Sequence, residues 1–330
     1  MNLNQIMENT YFILSNTPVI IDRLHICTWD FKGGTEGAIE IGLEFSHDFD
    51  SSKDIKFALA LPFLNENDKV ECLMPQLILS ENSRFIFNDK IMSIEPIKGN
   101  ERYGATLKFE NRNPLKVIPL KGIEQRKGLF SFTAKSISAG QRHYIRFYIK
   151  KAMKDFATIK RGIAKTSFIY DIKINERRNL PDYLNELLDN KQMEICGNIK
   201  QGFCFHVIPS SFNIAYLNSE NLKNIRILES DAFNRYLNPK RPLKNNEYII
   251  IFNKITHTNN SSYTFFSIFE KEIIGNKQIL LAIGANILCS LLLEAYSLYT
   301  ANPKWYIPFG IFSTILIIAY LLSQTKSFKR

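Results

Sequence analysis

Between Gln278 and Gln324 the chain carries only two charged side chains, Glu294 and Lys304. Two apolar spans lie in that run, Gln278–Tyr299 and Trp305–Ser323, joined by the turn-forming Ala301-Asn302-Pro303. Each is about 20 residues, the length of helix that crosses a hydrocarbon core of roughly 30 Å. A hairpin buried in a globular core is the competing reading, but two uncharged spans back to back favour a C-terminal two-helix transmembrane hairpin. Tyr296, Tyr299, Trp305 and Tyr306 fall at the borders of the spans, where amphipathic rings settle at headgroup level. Lys271 and Lys277 precede the first span, and Lys326, Lys329 and Arg330 follow the second. The loop between them has Lys304 alone, so the positive-inside rule places both termini in the cytoplasm, at an inner (plasma) membrane. The first residues lack the basic stretch and apolar core of a secretory signal.

The first span carries more than an anchor requires. Gln278, Ala282, Asn286, Ser290 and Glu294 recur every four residues, a small-or-polar stripe that drifts about 40° per step on a helix of 3.6 residues per turn. Polar groups at membrane depth are costly and face protein or water. Two readings stay open. The stripe packs helices together, or Gln278, Asn286, Ser290 and Glu294 line a pore with Glu294 as an acidic ring near its outer mouth. Both predict a homo-oligomer in the lipid bilayer.

The net charge is +10, of which the C-terminal tail supplies +3 and the residues before Gln278 supply +7. That positive charge is concentrated: from Gln141 to Arg178, eleven basic residues face three acids, a net of +8. A patch of this kind suits an anionic partner, a nucleotide or oligonucleotide, or a lipid surface. Its first part alternates as a strand. His143, Ile145, Phe147 and Ile149 point one way, and Arg142, Tyr144, Arg146, Tyr148 and Lys150 the other. Cations hold phosphates and rings stack bases, so the candidate ligand residues are Arg142, Tyr144, Arg146, Tyr148, Lys150, Lys151, Lys154, Lys160, Arg161 and Lys165. The same residues also fit a solvated outer strand whose charges block edge pairing, or a face resting on anionic headgroups.

The composition, 45% hydrophobic and 22% charged, excludes a disordered or fibrous chain. Short strand patterns separated by Gly, Asn, Asp and Pro run through Ile39–Phe45, Ile55–Leu61, Leu77–Ser80, Arg84–Ile94, Ala105–Phe109, Lys116–Leu120 and Leu129–Ala134. They predict a mainly β soluble region, an antiparallel sandwich or barrel, with one wet face at Glu40 and Glu44. From Asn179 the texture is mixed: helices are expected near Asn179–Asn190 and Asp231–Leu237, and strands at Gly202–Ile208, Phe212–Leu217, Asn224–Leu228 and Tyr248–Lys254. The expected division is 1–178 strand-rich, 179–272 α+β, and 273–330 hairpin and tail. Tyr263–Glu272 is expected to extend the first span as a helix.

No phosphate loop, dinucleotide fingerprint, nucleophile elbow or zinc-protease motif is present. Lys32-Gly33-Gly34-Thr35-Glu36-Gly37 has the glycines of a phosphate loop without its lysine spacing and reads as a hairpin turn. Cys196, Cys204 and His206 lack a fourth metal ligand, and His47-Asp48-Phe49-Asp50 offers donor types and nothing more. His25 and His143 sit in strand patterns and read as packed. The five scattered cysteines fit free thiols in a reducing compartment. Neither an enzyme nor a cofactor is expected.

In the order of its parts, a basic cytosolic recognition region before a short hairpin with a polar stripe, the chain resembles membrane effectors of bacterial antiphage defence. The oligonucleotide-controlled channels of the Hailong type are one such architecture. The resemblance spans the whole chain but rests on no motif. It implies an oligomeric membrane effector or ion channel whose cytosolic domain senses a nucleotide-type ligand. The alternative is a non-conducting, membrane-tethered binding or scaffold protein that recruits a cytosolic protein partner.

Overall fold

The computed structural model describes residues 9–33, 35–48, 52–162, 164–237, 242–256, 262–273 and 276–301. They fall into two compact units, one drawn from Met1–Arg161 and Thr166–Lys271, the other from Gly162–Lys165 and Glu272–Arg330.

Strands make up most of the first unit. In chain order they begin with β1 (Thr10–Ser15), β2 (Ile20–Asp30), β3 (Gly37–Ser46), β4 (Lys53–Ala60), β5 (Val70–Cys72) and β6 (Ile91–Pro96). Next come β7 (Ala105–Phe109), β8 (Leu115–Val117), β9 (Lys121–Arg126), β10 (Leu129–Ile137), β11 (Arg142–Lys150), β12 (Thr158–Arg161) and β13 (Lys165–Ile174). The series ends with β14 (Glu194–Ile195), β15 (Gln201–Pro209), β16 (Asn213–Leu217), β17 (Leu222–Ile227), β18 (Tyr248–Thr256) and β19 (Tyr263–Glu272). Among the described residues four short α-helices interrupt them: α1 (Met74–Leu77), α2 (Ser80–Phe87), α3 (Asn185–Asp189) and α4 (Ser230–Leu237). The second unit holds the long helix α5 (Asn276–Ala301).

Among the described residues these strands form two sheets. One has nine strands in the order β16-β19-β13-β1-β4-β10-β9, with β12 beside β13 and β14 beside β1. The other has ten, β17-β18-β15-β2-β3-β11-β8-β7-β6, with β5 beside β11. The fold is therefore mainly β, as the alternating sequence predicts. It is sandwich-like only in that two sheets share one core. Among the described residues the pairs β1 with β13, β2 with β15 and β8 with β11 are parallel.

The shared core follows from strand alternation. Ile39, Ile41, Leu43 and Phe45 of β3 and Ile145, Phe147 and Ile149 of β11 enter it from the ten-stranded sheet. Phe57 of β4 and Phe130 and Phe132 of β10 enter it from the nine-stranded one. The rings meet across the gap: Phe45 and Phe57 lie 4.8 Å apart, Phe130 and Phe147 5.0 Å. Each sheet's other face is covered too. Leu184 and Met193 close over Phe12, Leu14, Ala58 and Ala60 of the nine-stranded sheet. Leu73, Met74, Leu77 and Phe87, with Phe233 and Tyr236 of α4, close over Cys27, Trp29, Tyr144 and Val207 of the ten-stranded one.

Several expectations are corrected. The face of β3 expected to be wet is not: Glu40 and Glu44 are 1% and 0% exposed. Leu77–Ser80 and Arg84–Ile94 are not strands; α1 and α2 occupy residues 74–77 and 80–87, and only β6 follows. The local β preference yields there because the Ser83 hydroxyl donates to the Leu77 and Leu79 carbonyls and Asn88 ends the helix in the left-handed region, at φ 49°. Tyr263–Glu272 is a strand, not a helical extension: Tyr263, Phe265, Ser267 and Phe269 are buried in alternation. The texture change near residue 178 does not separate the sheets, because later strands β15 and β18 join one and β16 and β19 the other.

Among the described residues no helix is long and apolar enough to cross a membrane. The hairpin's second limb and the tail lie outside the described residues. The first limb coincides with α5, a continuous helix of 26 residues. Along it Ile283, Ile287, Leu292, Leu293 and Tyr296 are exposed.

Candidate functional site

The sequence-predicted ligand face exists as a strand face, but the structure divides it. Antiparallel register sets Tyr144 opposite Glu44, Arg146 opposite Gly42 and Tyr148 opposite Glu40 on β3. On the other side β2 sets Arg23, His25 and Cys27 against the same three positions. A row of charged and aromatic side chains thus crosses the outer face of the ten-stranded sheet. Its two ends differ.

At the covered end sits a buried ion pair. Arg146 donates through Nε and Nη2 to Glu40 Oε2, both at 2.6 Å. Trp29 Nε1 donates to Glu40 Oε1 at 2.8 Å, and the Tyr236 hydroxyl donates to Oε2 at 3.1 Å. Every group here has a hydrogen-bonding partner, as a charge taken out of water requires. Burial opposes the charge on Arg146. The Glu40 carboxylate, joined by Tyr236 and Tyr144, more than offsets it and lifts the guanidinium pKa well above its ordinary value. Tyr144 and Arg146 are therefore structural, not ligand groups on an open surface. The Tyr144 ring lies across Gly42, where a β-carbon would collide with its hydroxyl.

At the other end three arginines share one carboxylate. Arg112 Nη2 donates to Glu44 Oε2 at 3.0 Å, Arg142 Nη1 to Oε1 at 3.4 Å, and Arg23 Nε lies 3.7 Å from Oε2. The group carries a net charge of +2, and the side chains of Arg23 and Arg142 are 32% and 34% exposed. Arg112 is stacked over the Phe109 ring at 4.5 Å, and its Nε is buried without a hydrogen-bond partner. Burial lowers the Arg112 pKa, opposed by Glu44 and reinforced by Arg23 and Arg142. His25, with Nδ1 2.9 Å from the Tyr144 hydroxyl, is held neutral by burial and by Arg146, Arg23 and Arg112.

Beside this group the sheet carries a run of rings. Phe205 and Phe252 stack at 4.7 Å with 9° between planes, Phe203 stacks on Phe252 at 5.8 Å, and His25 lies 5.0 Å from Phe203. Arg23 and Lys254 both approach Phe203, at 6.0 and 5.5 Å. Arg23, Arg142, Lys254, Phe205 and Phe252 are half-buried, so cations and ring faces share a shelf that solvent reaches. Of the predicted residues only Arg142 belongs to it. Arg23, Arg112, Phe203 and Lys254 were missed because they lie outside the basic stretch, on strands that only tertiary pairing brings together.

The rest of the predicted set is scattered. Lys151 is buried against Asp68 at 2.8 Å, and Tyr148 packs against the second core. Lys150, Lys154, Lys160, Arg161 and Lys165 are exposed. A separate cleft of about 490 Å³ holds Arg177 and Lys191 over Leu180, Leu188, Met193 and Ile195, without an aromatic ring in its lining. Of the predicted pore residues, Asn286, Ser290 and Glu294 are exposed on α5, and the Ser290 hydroxyl donates to the Asn286 carbonyl at 3.0 Å. The side chain of Gln278 lies outside the described residues.

A second polar cluster looks catalytic but is closed. Cys204 Sγ lies 3.6 Å and Ser267 Oγ 3.2 Å from His206 Nε2, while Thr28 Oγ1 lies 2.8 Å from Nδ1. All four are buried, and the Tyr170 ring lies tilted against the imidazole, 4.6 Å away between centroids. Burial lowers the His206 pKa to about 3 and raises the Cys204 thiol, so neither thiolate nor imidazolium forms near neutral pH. Among the described residues no group of three His, Cys, Asp or Glu side chains is placed to hold a metal ion.

No family model matches the chain, and no curated protein does. Among solved structures it is similar to a crystal structure of a Legionella pneumophila protein provisionally described as nutrient binding. That match has 9% identity and a TM-score of 0.33, and covers 79% of this chain and 70% of the other.

Proposed function

We propose that the chain is a membrane-anchored effector whose β unit senses an anionic, ring-bearing ligand, of nucleotide or oligonucleotide type, on the shelf formed by Arg23, Arg112, Arg142, Lys254, Phe203, Phe205 and Phe252. One observation carries the reading: three arginines converge on the single carboxylate of Glu44 beside stacked aromatic rings. One acid cannot neutralise three guanidinium groups, and arginine's planar fork is suited to phosphate. Rings alongside give bases a stacking surface. The anchor rests on the nearly charge-free run from Gln278 to Gln324 and on the exposed apolar side chains of α5, which need a non-aqueous partner.

The test is titration of the full-length protein in detergent with fluorescent mononucleotides and short oligonucleotides. Affinity should fall roughly tenfold to twentyfold between 50 and 200 mM salt if about three phosphates are contacted. Arg23→Ser with Arg142→Ser should weaken binding by about tenfold or more, since each removes a charge-assisted hydrogen bond. Lys150→Ser with Lys154→Ser should leave it unchanged. Equal affinity in the arginine double variant would remove the shelf as the site. The channel form of the proposal adds that Asn286→Leu with Glu294→Leu abolishes conductance in an oligomer. A monomer in detergent would instead favour the tethered scaffold.

A further inference from the structure

The cleft that holds Arg177 and Lys191 shares no residue with the shelf, and the chain around it is tied down at several points. Asn175 follows β13; its Nδ2 donates to the Cys196 carbonyl and its Oδ1 accepts from the Ile13 N–H, both at 3.0 Å. The 3₁₀ turn Arg177–Asn179 is pinned to β1 by Asn179 Nδ2, which donates to Thr10 Oγ1 at 2.9 Å. Beyond α3, Lys191 lies in the left-handed region at φ 52°, with its N–H donating to the Leu188 carbonyl at 3.0 Å. Met193 N–H returns to the Leu187 carbonyl at 3.1 Å, and its side chain joins the cluster over Phe12 and Leu14 of the nine-stranded sheet. Leu180, Leu188 and Ile195 are half-buried against that cluster and form an apolar floor that solvent still reaches.

The rim is charged. Arg177 and Lys191 are exposed, and among the described residues their side chains have neither a hydrogen bond nor an ion pair. Glu194 also lines the cleft, so two cations stand against one acid, a net of +1. Asn16 adds a donor: its Oδ1 accepts from the Lys56 N–H at 2.8 Å, and its Nδ2 is unengaged among the described residues. The volume of about 490 Å³ lies within the roughly 300–1,000 Å³ of small-molecule sites.

We propose that this cleft binds a medium-chain fatty carboxylate, its alkyl chain on Leu180, Leu188, Met193 and Ile195 and its head group taken by Arg177 and Lys191. Two unpaired cations call for an anion, and the arginine fork accepts a carboxylate in two parallel hydrogen bonds. A floor of aliphatic side chains gives an alkyl chain contact area but gives a base nothing to stack on. An uncharged lipid would leave the cations unanswered, and a nucleotide would leave the floor bare. The site lies wholly within the β unit and rests on neither the Glu44 shelf nor the anchor.

The experiment illuminates full-length protein in a maltoside detergent with decanoate bearing a photoreactive diazirine on its chain, then maps the labelled peptides by mass spectrometry. Label should concentrate on peptides that hold residues 177–195, saturate with probe concentration and be displaced by unlabelled decanoate. Decanol should displace it at least about tenfold less well, since it lacks the charge that strengthens the hydrogen bonds. The variant Arg177→Gln with Lys191→Gln should hold the probe about tenfold to a hundredfold more weakly. The exchange R177K with K191R should retain binding, which separates charge from a folding defect. A glutamine variant labelled like the wild type overturns the proposal, as does decanol competing as well as decanoate, displacement of the probe by mononucleotides, or label confined to residues 276–301. The Arg23→Ser, Arg142→Ser variant should label like the wild type, so the shelf and the cleft stand or fail separately.

Discussion

Glu40 and Glu44 stand four residues apart on one face of β3, and their surroundings give them opposite roles. Glu40 is saturated by Arg146, Trp29 and Tyr236, so Glu40→Gln leaves the Arg146 guanidinium buried without its counter-charge. Unfolding in urea should show a loss of about 3–5 kcal/mol. The double change Glu40→Leu with Arg146→Met should cost less than either single change, since it removes both charges. A second residue-scale effect concerns pH. Burial, with Lys116 and His47 adding to it and the Gln141 carbonyl opposing, lowers the His143 pKa to about 4, and burial lowers that of His206 to about 3. Both histidines take up a proton near their ordinary value of 6.5 on unfolding but stay neutral when folded. The stability they confer is complete above that value and declines as pH falls toward 4 and 3, by about 1.4 kcal/mol per pH unit for each. His206→Gln should flatten the pH dependence of the urea midpoint in that window by one proton.

At the scale of elements, α4 decides whether the outer face of the sheet is wet or dry. Phe233 meets Trp29 edge-on at 5.0 Å and Phe85 of α2 at 4.6 Å. Phe233→Ala should destabilise by about 3–5 kcal/mol. In a Trp305→Phe background, it should also shift Trp29 emission to the red as water reaches the indole. This cover is the part of the fold the sequence conceals. Strand faces were legible: Ile39 to Phe45 and His143 to Ile149 point where their alternation says. Ala105–Phe109 is a strand over the residues expected. Alternation does not disclose what lies over a face, however, and a row of Glu, Arg and Tyr reads as solvated until helices from residues 74–87 and 230–237 are seen to close it. Tyr263–Glu272 shows the opposite error. Its period of two was visible, and the neighbouring apolar span drew the reading toward helix.

At the scale of the molecule, the basic stretch from Gln141 to Arg178 proves to be three things rather than one. Arg146 and Lys151 hold the fold together, Arg142 joins the shelf, and Lys160 and Arg161 stand exposed on the β12–β13 hairpin. A net charge read along the chain could not separate them, because burial and pairing decide which cations remain available. The full chain should sediment with membranes and be released by detergent but not by high salt. A chain ending at Ile273 should remain in the soluble fraction. Full-length protein in the soluble fraction would end the anchor reading. The parallel pairing of β2 with β15 has one more consequence, for biogenesis. Gly202 lies against Leu24 and Val207 against Trp29, so one side of β2 has no partner until residues 201–209 have been made. At 5–20 residues per second, that edge waits on the ribosome for roughly ten to thirty seconds. An edge left unpaired for that long is open to aggregation, so slowing translation between β3 and β15 should lower the yield of folded chain more than slowing it afterwards.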